Sequence, residues 1–460
     1  MRLKHLSGCV IAASSAAICF AQDPLTPPIQ PKVAPVATPP AIVVPPPSGT
    51  STPAPITATE AAEIALKHQP QVAIARAAIL SAHGNVLQAE QLLLPTVALT
   101  GEYGRSYSLP FVGTPNSVGL LGQGFTAGAT VTQLLFDFGK TLDSVRQNEA
   151  SERAAGFNLT ATESDTVYTV KQDFYTYSQD LQTVDVAAAN LKDTQDNLAL
   201  AQARLNSGIG EPGDVVTAQT NLAAATVTLI TDRTTASTAE VALALEMGID
   251  PRTPIVPKDS TEPAIAIDNM NALVDQGLKQ RPEIKQQQQL LRAAGYQVSV
   301  ARKALLPTVN FLASSATATA GGSSGTAYDL PKAVAFGIEL TWDPFAIAGA
   351  RGQIDVANAS VQTSKANLFQ AGQTVISDIS TAYLNIKSAE QRIATSEAEV
   401  KNGLEGLRIA EGQYKAGVTT FVTVTNAELN LAQARNDLVT SNAALQLARA
   451  AMEHAIGRAL

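Results

Sequence analysis

The sequence predicts an internally duplicated, mixed α+β fold in which long coiled-coil helical hairpins alternate with paired β-strands. Three observations carry that prediction. First, the chain repeats itself at long range. Leu66-Lys67, Pro70 and Leu94-Pro95-Thr96-Val97 return as Leu278-Lys279, Pro282 and Leu306-Pro307-Thr308-Val309, each 212 residues later, and Gly208 is answered by Gly417, 209 residues on. A period this long marks a duplicated half, since solenoid repeats run to only about 20–50 residues. Second, the apolar period in each half drops from helical to two, twice, for about ten residues at a time. Third, each half carries one heptad run far longer than a compact domain uses.

The elements follow in order. Arg2 and Lys4, the apolar stretch Leu6 to Phe20 and a small-residue site ending at Ala21 read as a secretory signal over 1–21. Leu6-Ser7-Gly8-Cys9 spells a lipoprotein-type tetrapeptide, but only five residues and no apolar stretch precede it. Cys9 and Cys19 are the only cysteines, so cleavage after Ala21 leaves neither a disulfide framework nor thiol chemistry. Residues 22–56 hold 12 of the 25 prolines, which suits an extended tether and not a core. The first repeat is expected over 57–265 and the second over 266–460.

Within the first repeat, a short helix runs to about Lys67 and a longer one from Pro70 to about Leu93, because proline suits a first helical position. Pro95 ends it. Strands follow over about 96–107 and 123–135, with counterparts over about 308–318 and 333–342. The last is the clearest: Val334, Phe336, Ile338, Leu340 and Trp342 alternate with Ala335, Gly337, Glu339 and Thr341. About ten residues is the length that crosses a bilayer when tilted, although a soluble hairpin with one buried face shows the same alternation. Four strands alone close no membrane barrel, since about eight is the smallest. Spanning therefore needs several copies.

The long helices run from about Lys140 to Leu205 and from about Gly352 to Tyr414, each on the order of 95–100 Å. The first seam reads Val167, Val170, Phe174, Tyr177, Leu181, Val184, Ala188, Leu191, Leu198 and Leu205, with Gln195 and Gln202 between. The second reads Ile376, Ile379, Tyr383, Ile386, Ile393, Val400, Leu404, Leu407 and Tyr414, with Glu390, Glu397 and Glu411 in register. Each helix turns at its glycine and returns, over about 214–247 and 421–457.

Composition excludes several functions. The formal net charge is −8, becoming −10 without Arg2 and Lys4, and no basic run invites nucleic acid. Histidine occurs only at 5, 68, 83 and 454, and no cluster has zinc-ligand spacing. There is no phosphate-cradling glycine loop and no nucleophile elbow, so no cofactor and no catalytic residue is expected. Asp137 and Asp343, just after strands, read as caps of the long helices.

This order of signal, duplicated half, paired strands, very long heptad helices and glycine-centred hairpins resembles the TolC-type outer membrane efflux and secretion channels. The resemblance covers roughly 57–460 and rests most on the paired LPTV segments, LLFDFGK, LTWDPFAIAGARG and YKAGVTTFVTVTNAELNLAQAR. It implies a homotrimer whose chains each give four strands to a shared 12-stranded outer-membrane β-barrel, and whose helices form a periplasmic α-barrel. The implied role is a passive exit duct for efflux or type I secretion, docked to a periplasmic adaptor and an inner-membrane pump. The tips would gate it: Gly208, Glu211 and Asp214 at one turn, Gly417, Thr420 and Thr423 at the other. The family often carries Asp-Val inside the second turn, where this chain has Thr423-Val424. Asp214-Val215 keeps the acid in the first half, so Glu211 and Asp214 become the candidate acidic ring, with Asp214 also expected to cap the returning helix. Thr96, Thr100, Glu102, Glu339 and Thr341 would line the barrel lumen, while Tyr103, Tyr107, Phe336 and Trp342 would meet outer membrane lipids or form its aromatic girdles. The competing readings are an extended periplasmic coiled-coil spacer or adaptor without a barrel, and an exported enzyme. The uniformly apolar positions of 334–342 speak against the first, and the missing polar constellation against the second.

Overall fold

The computed structural model describes residues 55–108, 120–258, 261–262, 269–321, 333–345 and 347–458. The expected signal and most of the proline-rich tether lie outside the described residues. Ile56, which composition assigns to the tether, instead pairs with the segment after the first hairpin. Its N–H donates to the Val256 carbonyl at 3.0 Å, and its own carbonyl accepts from Lys258 N–H at 2.8 Å.

Among the described residues twelve elements follow. Helices α1 (Ala58–His68) and α2 (Pro70–Gln91) precede strands β1 (Thr96–Ser108) and β2 (Leu120–Phe136). Helices α3 (Lys140–Asn206) and α4 (Pro212–Glu246) make the first hairpin. The order repeats as α5 (Met270–Gln280), α6 (Pro282–Lys303), β3 (Thr308–Gly321), β4 (Ala333–Thr341), α7 (Ile347–Lys415) and α8 (Phe421–Ala455). Local chemistry sets the boundaries. Thr57 and Glu60 form a reciprocal capping box on α1. Pro70, Pro212 and Pro282 each take a first helical position, where the missing N–H costs nothing. Asp137 accepts from Gly139 N–H at 3.0 Å and Thr141 N–H at 2.7 Å, holding the first turn of α3 although Gly139 is its N-cap residue. Asp343 accepts only the Phe345 N–H, at 3.0 Å, and α7 begins at Ile347, ahead of the expected Gly352, because Gly349 and Gly352 do not interrupt it.

The four strands form one antiparallel sheet in the order β1-β2-β3-β4. At 13, 17, 14 and 9 residues, the first three exceed the expected length. A bulge at Leu134/Phe136 interrupts the β2–β3 register.

Two apolar clusters anchor the middle of the chain. In the first half, Ala58, Ala61, Ala62 and Ala65 of α1 pack on Val170, Phe174, Tyr177, Leu243 and Met247. In the second, Leu273 packs on Val375, Ile379, Ile386, Met452 and Ile456. Val170 and Ile379, Leu243 and Met452, and Met247 and Ile456 are repeat equivalents, so the duplication is a duplication of packing. Gly277, equivalent to Ala65, lets α7 approach α5: a Cβ there would lie 2.6 Å from Ile379 Cδ1 and 3.1 Å from the Ala455 carbonyl.

The seams need correction. On α7 the buried stripe is Val375, Ile379, Ala382, Ile386, Ala389, Ser396, Leu407, Ala410 and Tyr414, with Ile393, Val400 and Gly403 half-buried. Glu390, Glu397 and Leu404 are exposed and Glu411 is half-buried. On α3 the stripe takes Ala187, Thr194 and Ala201, leaving Ala188, Gln195 and Gln202 exposed. A register built on bulky residues overlooked that every other seam position is small. Small residues let two long helices approach closely, with large neighbours filling the space beside them.

Candidate functional site

The two hairpin turns are built alike. Gly208 (φ +76°) and Gly417 (φ +74°) hold the left-handed conformation that ends a helix. Ile209 N–H reaches back to the Arg204 carbonyl at 3.1 Å, and Val418 N–H to the Gln413 carbonyl at 2.9 Å. Gly210 is fixed by space, since a Cβ there would lie 2.6 Å from the Leu205 nitrogen.

One cluster ties the turns together. The Arg204 guanidinium, from α3, donates to the Tyr414 carbonyl, to the Lys415 carbonyl at 3.0 Å and to the Ile209 carbonyl at 3.4 Å, and lies 4.5 Å from the centroid of the Tyr414 ring. The Tyr414 hydroxyl, from α7, donates to Asp214 Oδ2 on α4 at 2.8 Å. Burial, then the Asp214 carboxylate, push the Tyr414 phenol up to about 12, so it stays a donor at any physiological pH. Asp214 is thus no helix cap. Glu211 holds the N-cap position without a side-chain bond, while Asp214, in the first turn, turns toward the other hairpin. Glu211 is exposed. Thr420 is the N-cap residue of α8, also without a side-chain bond, and Thr423 accepts from the Thr419 hydroxyl at 2.8 Å. Beneath lies a small core of Ala201, Ala218, Leu407, Tyr414, Phe421, Val424 and Leu431.

At the other end, register sorts the expected barrel residues onto two faces. Thr100↔Gly128, Glu102↔Thr126, Asn310↔Glu339 and Thr308↔Thr341 are partners, which puts Thr100, Glu102, Glu339 and Thr341 on one face. Tyr103↔Phe125, Tyr107↔Leu121 and Ala313↔Phe336 belong to the opposite face, with Val97, Leu99, Ile338 and Leu340. At Val97 and Leu99 and along β4 that face is apolar and uncovered: Phe336 is 79% and Ile338 72% exposed. Trp342 falls one residue beyond β4, and its indole N–H donates to the Leu305 carbonyl at 3.1 Å, pinning the sheet to the end of α6. Among the described residues β1 and β4 each keep one edge unpaired.

Residues 61–248 and 273–458 match the family described as outer membrane efflux protein. The chain belongs to that family. The efflux protein is 26% identical over 409 residues to Protein CyaE of Bordetella pertussis, covering 86% of this chain and 83% of that protein. It is 26% identical over 346 residues to the outer membrane efflux protein BepC of Brucella suis, covering 72% of each. Among solved structures its fold is similar to that of the outer-membrane channel OprN (TM-score 0.78, 18% identity, 87% of this chain and 90% of that one). It is also similar to the outer membrane protein VceC of Vibrio cholerae (TM-score 0.75, 21% identity, 87% and 96%). The chain is accordingly an outer membrane efflux protein, and its long helices and four-stranded sheet have the fold of those outer membrane proteins. Among the described residues no helix is long and apolar enough to cross a membrane.

Folding also assembles groups that spacing could not reveal. Asp165, Glu283 and His454 bring ligand atoms within 4.8 Å of one another. Arg281, however, holds Nη2 3.1 Å from His454 Nδ1 and Nε 3.6 Å from Glu283, and Asp165 occupies His454 Nε2 at 2.8 Å. A guanidinium already fills the cation's place, so this set is an ion-pair network. Lys171 lies buried between Glu262, at 3.0 Å, and Glu453, at 2.8 Å. It binds α3 and α8 to the connection between the repeats. Burial pushes its ammonium down, but both carboxylates outweigh that and hold it above its ordinary value. Arg204 gives no sequence signal, since its role depends on Tyr414, 210 residues away.

Proposed function

We propose that this efflux protein is a passive exit duct with no chemistry of its own, built as a homotrimer. The observation that carries the reading is the open four-stranded sheet, with two edges unpaired among the described residues and an exposed apolar row along β4. A single chain leaves those edges unsatisfied in hydrocarbon, which only closure remedies. Three copies bring twelve strands, four from each, β4 of one protomer meeting β1 of the next. The repeats 57–265 and 266–460 then contribute one helical hairpin each to a periplasmic α-barrel. Thr100, Glu102, Glu339 and Thr341 face the lumen, and Tyr103, Tyr107, Phe336 and Trp342 face or flank the lipid.

The turns around Gly208 and Gly417 form the periplasmic tip. Glu211 and Asp214 supply its acidic ring, and Thr420 and Thr423 lie on the surface offered to a periplasmic adaptor that links the duct to an inner-membrane pump. Relatives include proteins named for antibiotic, toluene and cation efflux, so cargo choice rests with the pump. The test is planar-bilayer conductance of the detergent-extracted protein, alone and with Glu211→Gln and Asp214→Asn. Discrete openings whose cation preference falls in the double variant are expected. Recovery of the protein as soluble periplasmic material would overturn the duct in favour of a coiled-coil spacer.

A further inference from the structure

The junction between the hairpins, about two turns into α8, contains an acid that the duct itself does not call for. Glu428 is 5% exposed, wedged between α8 and α3, and its one direct side-chain partner there is the amide of Asn197, 3% exposed, which donates to Oε1. The charges facing it are acidic. From α3 comes Asp193, and from α7 comes Glu411. Its own helix offers Arg435, but that guanidinium is engaged by Asp193 at 3.0 Å. α4 reaches this stretch of α8 through Asn221, whose amide donates to the Thr425 hydroxyl at 3.2 Å and brings no charge.

An ionised carboxylate removed from water, without a counter-cation and facing two other acids, is costly where it stands. A protonated carboxyl accepts from the same amide and needs no cation. We propose that Glu428, with Asn197 opposite, is a proton-operated latch between the two hairpins: protonated, it holds α8 on α3, and ionised, it loosens them. The geometry agrees with the acid's titration. Burial first, then Asp193 and Glu411, against the relief from Asn197, push Glu428 up to about 7 from its ordinary 4.5. Because the folded state holds this proton more tightly than the unfolded chain, the junction is firmest below about pH 4.5 and loses its hold as pH rises through about 7. The part of the inference that concerns gating rests on the duct proposed above, but the latch is measurable without a pore.

The experiment is hydrogen exchange, read as protection factors, on the full-length protein in detergent at pH 5.5 and 8.5. In the unaltered protein, amides of 190–201 and 424–435 should lose about tenfold protection at the higher pH relative to the rest of both helices. Glu428→Gln, a permanent stand-in for the protonated acid, should abolish that loss. Asp193→Asn removes a facing acid and frees Arg435, so it should move the midpoint to lower pH with Glu428 intact. An unchanged pH response in Glu428→Gln, or an unmoved midpoint in Asp193→Asn, overturns the latch. Conductance separates the two readings. Openings that rise with pH in the unaltered protein and not in Glu428→Gln support both. The exchange result without any conductance keeps the latch and removes the duct.

Discussion

The two helical hairpins share an ancestor and a register, yet they are held together by different chemistry. In α7 and α8 the seam is alanine, serine and glycine beside isoleucine, leucine and tyrosine. Ala382, Ala389 and Ser396 are buried, and Ser396 meets Ser441 at 3.3 Å between hydroxyls. In α3 and α4 the positions equivalent to Ala382 and Ala389 are Asp173 and Asp180, and those equivalent to Ala455 and Ser441 are Glu246 and Asp232. Burial, with Glu246 and Asp232 behind it, pushes Asp173 and Asp180 above the ordinary carboxylate range. Along α4, Thr226, Thr228, Thr231, Thr234, Thr235 and Thr238 also donate to carbonyls four residues back, a habit that weakens and bends a helix. The second hairpin is therefore a close-packed unit, and the first is loosened by like charge and local hydrogen bonding. Duplication copied the register and let the adhesive diverge.

The largest test of that contrast lies where the first half does carry a strong tie. Lys171 joins Glu262 and Glu453, and its equivalent in the second half is Ser380. Lys171→Ala leaves two carboxylates, one fully buried, without their cation and should cost about 3–5 kcal/mol. Ser380→Ala should cost under about 1 kcal/mol. Denaturant unfolding of both variants in one detergent checks the pair. Equal losses would show that the triad holds nothing.

A smaller effect is expected at the close approach in the second hairpin. A Cβ on Gly403 would lie 3.3 Å from Leu431 Cα, and backbone yields less readily than a side-chain tip. Gly403→Val should cost roughly 1–3 kcal/mol by forcing α8 away. Thr194, its equivalent on α3, already carries a branched side chain whose hydroxyl donates to Asn190 and Leu191 carbonyls, so Thr194→Val should cost under about 1 kcal/mol. Melting temperatures of the two variants rank the hairpins by tightness.

The same contrast shows what the sequence could disclose. The duplication, the period switch at Pro95 and Pro307 and the glycine turns are local signals, and each corresponds to an observed element boundary. The seam was legible only in half. Ile379, Ile386, Leu407 and Tyr414 announce one heptad position by their bulk, while Ala382, Ala389 and Gly403 announce nothing, because a small residue packs as readily as it sits in solvent. At the turns, Gly208 and Gly417 were visible for the conformation they alone adopt cheaply. The Arg204–Tyr414–Asp214 cluster was not, since it joins three helices distant in sequence. Glu428 was hidden for a related reason: on an isolated helix an acid reads as a solvent face, and only α3 makes it interior.

The smallest expected effect is also the most direct measure of the divergence. Asp180→Ala installs in the first hairpin the residue that the second carries at Ala389. It removes one member of a half-buried acid pair, and at neutral pH the gain should be on the order of 0.5 kcal/mol, because such pairs are partly screened. The sign follows from linkage. The folded state holds the Asp180 and Asp232 protons above the ordinary 3.8, so the pair's contribution is favourable in acid and is lost as pH rises through the folded values. The advantage of Asp180→Ala should accordingly shrink toward zero below about pH 4 and be full at neutral pH, whereas Ala389→Asp should impose the reverse penalty on the second hairpin. Thermal unfolding of both variants across that range reads the difference. A gain in Asp180→Ala that ignores pH would assign the looseness of the first hairpin to its threonines and not to its charges.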